Sequence, residues 1–489
     1  VSAYATKTQL MDGTFAPNAD GTAVNYGKIV FGKKSDGTTA QEWYILGKDE
    51  GVSGDNTIIF ATSPIATGQK FNSSYDNKSF TSSFGVYASN PSDVYANHYG
   101  ASDLRVALQG MATNTNYFTT AEQGLMNATT VKTKDTKNSN VTYTTTDKLY
   151  ALQGNYNDKN KLWAGTSDST VLAMSSYWSN GSWFWLRSPY ADGDGSALLA
   201  LPGYSVLGDN LYFERAVQPA SNLNLSSVLF ASAATAASSD TVSGTLTDGT
   251  AMTLRLNGTG KNIGTVTYNT TTGDIKVVRG DASQPVSLVV QGNDGTNDWY
   301  YSKQITGTET INASDIKSAL SLTSDIDLSA CKIWLETTDS TENLIYAVGA
   351  TEILRITSVE ITGIDTPTAN TTLDTSAACA TTGVSSTTPQ ITWTPSDTTA
   401  GYNTRYTASI TLTADTGYKF VNSTTATING NTATSVNKNT DGPLTVTYAF
   451  PATAKDKLTS ITAPQAITVA NGTAYSVMNL PDQVNIVTE

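Results

Sequence analysis

The sequence predicts a multidomain chain, with an N-terminal α+β domain over residues 1–233 followed by all-β sandwiches. Three observations predict it. The chain has 489 residues, more than a single hydrophobic core serves. It is rich in Thr, Ser, Asn and Gly, with only 15% charged residues, a composition that suits strands and turns and supplies few long helices. Finally, helix signals cluster before residue 130, whereas from Thr241 onward short alternating runs recur between Asn, Asp and Gly turns.

Taken in order, residues 1 to about 25 are polar and read as a lead-in or an edge strand. The runs at 26–32 (Tyr-Gly-Lys-Ile-Val-Phe-Gly) and 42–47 (Glu-Trp-Tyr-Ile-Leu-Gly) read as paired strands across a Lys-Ser-Asp-Gly turn, with 57–61 as a third. A helix is expected over 101–111, capped by Ser102 or Asp103, with Leu104, Val106, Leu108 and Met111 as its apolar stripe. Thr119 and Glu122 form a capping-box pattern that opens a second short helix. The Thr- and Lys-rich stretch 131–146 reads as an exposed hairpin.

The N-terminal domain is organised around residues 178–224. Trp183 to Ser188 is apolar enough for a buried strand, and 216–225 reads as a closing strand. Between them, 190–196 and 203–214 hold small, polar or aromatic residues with no clear period, as loops on a fixed frame do. Strand alternation sends Trp183 and Trp185 to one face and Phe184 to the other, so two of these three belong to the core. Stacking of Trp178, Trp183, Phe184 or Trp185 on a sugar is the competing reading. Arg187 is expected to tie the frame together by hydrogen bonds.

The Ser- and Ala-rich stretch 232–240 reads as a linker. Residues 241–354 read as an immunoglobulin-like β-sandwich interrupted by one short helix near 313–320, and 355–454 as a second. Residues 455–489, with strand-like 458–461 and 466–469, read as the start of a further, truncated β domain.

Several function classes are disfavoured. With 29 basic against 42 acidic residues, the net charge is −13, and no basic cluster is present to neutralise phosphates. No apolar run is long enough to span a bilayer. The chain begins at Val1, which points to a processed or trimmed start. Cys331 and Cys379 fall in different expected domains, so two separate thiols are favoured over a disulfide. The single histidine, His98, stands beside Tyr95 and Tyr99 with no nucleophile motif, and a loop packed on aromatics is favoured over a general base. Asp192-Gly-Asp194-Gly suggests a calcium loop, but the further oxygen ligands and the terminal Glu do not follow, so no metal or other cofactor is expected. No nucleophile–base pair or carboxylate pair marks an enzyme.

Trp185-Leu-Arg-Ser-Pro, with Ala216-Val-Gln-Pro-Ala-Ser-Asn-Leu-Asn-Leu, Ser102-Asp-Leu-Arg105 and Phe118-Thr-Thr-Ala-Glu122, resembles a module of surface proteins from gut Gram-positive bacteria. The resemblance covers about residues 26–233. It implies a C-type-lectin-like fold similar to formylglycine-generating enzymes and to the variable proteins of diversity-generating retroelements, and it implies that the later sandwiches are stalks. The domain has no cysteine with which to hold copper, and Gln218-Pro219 is followed by Ala220 where a calcium-dependent lectin would carry an acid. Both departures argue against those two activities. Retroelement mutagenesis yields no Lys, Gln, Glu, Met or Trp, and residues 190–213 contain none of the five.

The expected function is therefore that of an extracellular, cell-surface or cell-wall-attached bacterial binding protein or adhesin. It would recognise an unknown protein or glycan on another cell or host surface, with no nucleic acid and no membrane insertion. The expected ligand-binding residues are Tyr190, Asp192, Asp194, Ser196, Tyr204, Ser205, Leu207, Asp209, Asn210, Tyr212 and Glu214, with Phe213 adding aromatic area. The alternative is a structural cell-wall or pilus-like shaft capped by its first domain.

Overall fold

The computed structural model of the chain describes residues 3–22, 26–80, 93–135, 141–174, 181–201, 203, 205–438, 442–474, 483 and 485–488. The protein is mostly β, built from several sheets with few helices. It divides into two compact units, Val1–Ala350 and Thr351–Glu489.

In the first unit, Lys28–Lys33, Ala40–Ile45 and Asn56–Ala61 form the antiparallel set legible in the sequence. Ala220–Asn224 and Leu149–Tyr150 extend it to five strands. Asp103–Thr113 is a helix whose Ser102 hydroxyl accepts from the Arg105 N–H, and Thr120–Leu125 opens with the full Thr119–Glu122 capping box. Leu104, Leu108 and Met111 of the first helix are buried, whereas Val106 is exposed and leaves the expected stripe. Tyr4–Thr6 is an edge strand, as one reading of the lead-in had it, followed by an unanticipated short helix, Lys7–Met11.

The stretch expected to be an exposed hairpin is a hairpin, Thr129–Asp135 paired with Val141–Asp147, but not an exposed one. Val131, Thr133, Tyr143 and Thr145 are buried on its inner face. A Thr-rich strand reads as solvated because a threonine methyl and hydroxyl serve either environment.

A second five-stranded sheet carries the organising stretch. Its order is Ser205–Asn210, Ser196–Leu201, Phe184–Pro189, Arg215–Val217 and Ala66–Gln69. The Phe184–Pro189 strand is buried throughout, and both faces of the sheet are covered. Phe184, Leu186, Leu198, Ala200 and Val206 pack with Phe60, Leu152, Leu162 and Leu172. Trp185, Ala197 and Leu199 pack on the opposite side with Phe71, Leu104 and Val217. Each of the larger aliphatic and phenylalanine side chains contributes about 1.5–3 kcal/mol on leaving water, which holds this frame together. The expected closing strand is broken at Gln218–Pro219 into Arg215–Val217 and Ala220–Asn224, which belong to different sheets. Proline supplies no N–H to continue a ladder.

In the stretch 232–240, expected to be a linker, residues 232, 234 and 237 are buried, whereas 238–240 face solvent. Val228–Ser232 joins Tyr4–Thr6 to an eight-stranded sheet containing Thr253–Asn257, Leu344–Gly349, Lys332–Asp339, Val286–Asn293, Asp298–Ile305 and Thr241–Leu246. Arg255, fully buried, donates to Ser232 O at 2.6 Å and Ala234 O at 2.7 Å while pairing with Glu336 at 2.8 Å. The Ala237 N–H donates to the Ser302 hydroxyl at 2.7 Å. Small residues here allow close approach to the sheet, a use that composition alone does not distinguish from flexibility. Ala313–Leu320 is the one α-helix inserted in this β region among the described residues.

The second unit places a sheet of Leu354–Ile361, Tyr418–Ile428 and Asn431–Thr432 against one of Ile391–Thr394, Thr407–Leu412, Leu444–Ala449 and Ser435–Lys438. Their inner residues, among them Val359, Phe420, Trp393, Ile410 and Val446, share one apolar core. Leu458–Ile461 pairs with Ile486–Thr488, whereas residues 466–469, expected as a strand, are irregular. Cys331 and Cys379 are both free thiols.

Candidate functional site

The segment 190–214 is not two loops. Ser196–Leu201 and Ser205–Asn210 form a hairpin in continuous antiparallel register, from Ser196 opposite Asn210 to Leu201 opposite Ser205. The run Ser-Val-Leu-Gly-Asp-Asn hides its strand character because it is an edge strand with only Val206 buried. Gly208 is required there: a Cβ at that position would lie 2.8 Å from Tyr190 Cδ2, so the Tyr190 ring covers the strand only because the side chain is missing.

The loop before the hairpin is also fixed. The buried Asn97 amide donates toward the carbonyls of Tyr190 at 3.3 Å, Gly193 at 3.0 Å and Ser196 at 2.9 Å. Tyr190 is half-buried and meets Tyr156 edge-on at 5.0 Å.

The expected binding residues therefore part company. Asp192, Asp194, Tyr212 and Glu214 face solvent. Tyr190, Ser196, Ser205, Leu207, Asp209 and Asn210 are half-buried. Leu207 lies against the core, Asp209 is ion-paired to Arg215 at 2.7 Å, and the Asn210 side chain accepts from the Tyr212 N–H at 3.0 Å. Tyr204 and Trp178 lie outside the described residues.

Tyr212 and Phe213 lie beyond the strand, so its alternation does not send them to opposite faces. The strand ends at Asn210, whose carbonyl accepts from the Phe213 N–H at 3.0 Å. This turn buries Leu211 and leaves Tyr212 and Phe213 outside, 37% and 51% exposed.

Around them lies a cluster that the sequence reading did not assemble. Trp183, one residue before the buried strand, is 42% exposed, and its carbonyl accepts from the Ala216 N–H at 2.9 Å. Phe184 and Trp185 are the two core members of the triplet. The Arg215 guanidinium stands 4.9 Å from the Trp183 ring centre and 5.2 Å from that of Phe213. Tyr75, from a distant segment, is 45% exposed and meets Tyr212 at 4.2 Å with its ring against Gly195. Nothing in the local pattern around Tyr75 reveals this partnership. The Trp183–Arg215 pairing follows from Phe184 lying beside Ala216 in parallel register, a long-range fact.

Elsewhere the expected structural roles are met. Arg187, fully buried, donates to Ala151 O at 2.9 Å and Gly165 O at 3.3 Å, and burial holds its pKa below the ordinary value. His98 stacks on Tyr143 at 3.9 Å and lies 4.7 Å from Phe80. Burial, with Arg105 nearby, lowers its pKa to about 3, so the ring is neutral at physiological pH. Among the described residues no three His, Cys, Asp or Glu side chains are grouped to hold a metal ion. No described helix is long and apolar enough to cross a membrane.

No family model matches the chain, and no curated protein matches it. The arrangement itself is a solvent-facing aromatic cluster, braced by one arginine and accompanied by exposed carboxylates, on a sheet whose Phe184–Pro189 and Ser196–Leu201 strands are held in the core.

Proposed function

We propose that this chain is an exported bacterial surface protein that recognises a partner non-covalently through the face formed by Tyr75, Trp183, Tyr212 and Phe213. In this reading residues 1–233 form a C-type-lectin-like display domain, and the following sandwiches are immunoglobulin-like spacers. The observation that carries it is the exposure of four aromatic rings on a rigid frame, Tyr75 against Tyr212 and Trp183 and Phe213 about Arg215. Exposed tryptophan and tyrosine beside arginine is the composition of binding hot spots, where stiff rings supply contact area at low entropic cost. A soluble surface gains nothing from holding such rings in water.

The same geometry suits a variable surface. Asp192, Asp194, Tyr212 and Phe213 face solvent, so substitutions there leave the core intact, and they fall in the stretch 190–213 whose composition is compatible with retroelement mutagenesis. Sequencing the locus from several isolates tests this: variation concentrated in 190–214 is expected, and a segment that stays constant while flanking DNA drifts contradicts it.

The shaft reading receives less support, because a capping domain has no use for an aromatic patch pointing away from its core. Screening the full chain on protein, peptide and glycan panels, followed by hydroxyl-radical footprinting of the best binder, tests recognition. Protection of Trp183, Tyr212 and Phe213 is expected. Protection confined to other surfaces rejects the proposed face.

A further inference from the structure

We infer, resting on the recognition reading above, that the partner is a protein segment presenting a lysine or arginine side chain, which seats on the aromatic rings with its charge held by the carboxylates around them. Two independent observations carry this. First, the protein already displays such an interaction within itself. The Arg215 guanidinium lies against the Trp183 and Phe213 rings with Asp209 behind it, so this ring set is built to hold a flat cation beside a carboxylate. Second, the surrounding charge is unbalanced. Residues 66–76 and 181–215 carry Asp76, Asp192, Asp194, Asp209 and Glu214 against Lys70, Arg187 and Arg215. Arg187 is buried in the frame, and Arg215 is neutralised by Asp209.

Asp76, Asp194 and Glu214 face solvent and form no ion pair among the described residues. Each neighbours the cluster in the chain: Asp76 follows Tyr75, Asp194 precedes the Gly195 on which Tyr75 rests, and Glu214 follows Phe213. A cation approaching this face meets exposed rings borne on segments with an excess of exposed carboxylates. An acidic partner meets repulsion.

A sugar fits less well. Stacking on a pyranose calls for an open, flat ring face. Here Tyr75 and Tyr212 meet at 63°, forming a corner and not a platform.

The test is selection of short peptides from a displayed random library on the full chain, with a glycan panel alongside. Three proteins are compared: the native chain, the charge variant Asp194→Asn/Glu214→Gln, and the ring variant Trp183→Ala/Tyr212→Ala/Phe213→Ala. All five positions are exposed, and thermal unfolding verifies that each variant folds. Selected peptides are expected to share a Lys or Arg, to bind the charge variant about tenfold more weakly, and to lose affinity as salt rises. Replacing the shared base by Gln abolishes binding. Peptides without a base, affinity indifferent to the charge variant, no peptide selected at all, or ring-dependent binding of a glycan instead each overturns the inference. If the ring variant loses binding while the charge variant does not, recognition at this face stands and only the cationic partner fails. If the ring variant binds like the native chain, both fail.

Discussion

The guanidinium of Arg215 lies 4.9 Å from the centre of the Trp183 ring, and this contact joins two strands whose pairing is parallel and remote in sequence. It fixes the orientation of an exposed tryptophan that would otherwise sample several rotamers. Replacing Arg215 with Ala is expected to cost no more than about 1 kcal/mol of stability, because the Asp209 pair is partly solvated. The same change should alter the emission of Trp183 and increase its quenching by iodide. An unaltered quenching constant contradicts the bracing role.

The Tyr190 ring lies over Gly208, and a Cβ there would meet it at 2.8 Å. Gly208→Ala is expected to destabilise the first unit by about 1–3 kcal/mol through displacement of that ring. Tyr190→Ser in the same background should recover part of the loss, since it removes the clash. Denaturant titration of the four proteins in the cycle reads the coupling, and strict additivity argues against contact between the two positions.

Asn97 holds the 190–196 loop through three carbonyls. Asn97→Ala removes these donors from a buried position and is expected to cost about 1–3 kcal/mol. Amide exchange in 191–195 should accelerate while that of Phe184–Pro189 is less affected. Unchanged exchange at 191–195 would show that the loop is held by other means.

His98 has a folded pKa of about 3 against an ordinary value of 6.5, because burial opposes its charged form. The unfolded chain takes up a proton below pH 6.5 and the folded chain does not until about pH 3. The stability linked to this group is therefore fully present above pH 6.5 and is lost as pH falls toward 3. His98→Phe retains an aromatic ring against Tyr143 and removes the titration. Its stability relative to the native chain should rise steadily between pH 6.5 and 4. Parallel pH profiles contradict this. The comparison is made as a difference because burial raises the pKa of Asp147 and Glu122, two carboxyls that bias the absolute profile the other way.

Arg255 and Glu336 form a fully buried pair that also binds the carbonyls of Ser232 and Ala234. Glu336→Gln leaves the guanidinium without a counter-charge and is expected to cost about 3–5 kcal/mol. Calorimetry of the Val1–Ala350 region should show its unfolding transition moved to lower temperature. An unmoved transition means the connection is held chiefly by its apolar contacts.

These residues also mark how far the sequence could be read. The strand at Phe184–Pro189, the capped helix at Asp103–Thr113, the Thr119–Glu122 capping box and most strands beyond 241 carry local signals, and the structure has them at those places. Features set by distant contacts were illegible. The Ser205–Asn210 strand has Val206 as its single β-branched residue and exists because Ser196–Leu201 pairs with it. The 232–240 stretch looks flexible by composition, and Arg255 binds it. The segment 190–214 was identifiable as unusual, and Tyr212, Asp194 and Glu214 within it do face water. Trp183, Tyr75 and Arg215 complete the cluster through register and chain reversal, which no single-sequence periodicity encodes.

If the aromatic face is a contact surface, affinity depends on its rings. The most direct test is the affinity of the full chain for its best binder from the peptide and glycan panels, titrated with the native protein and with Trp183→Ala/Tyr212→Ala/Phe213→Ala. At least a tenfold loss, about 1.4 kcal/mol or more, is expected, with the unfolding midpoint essentially unchanged. Equal affinity in a folded variant would contradict that dependence.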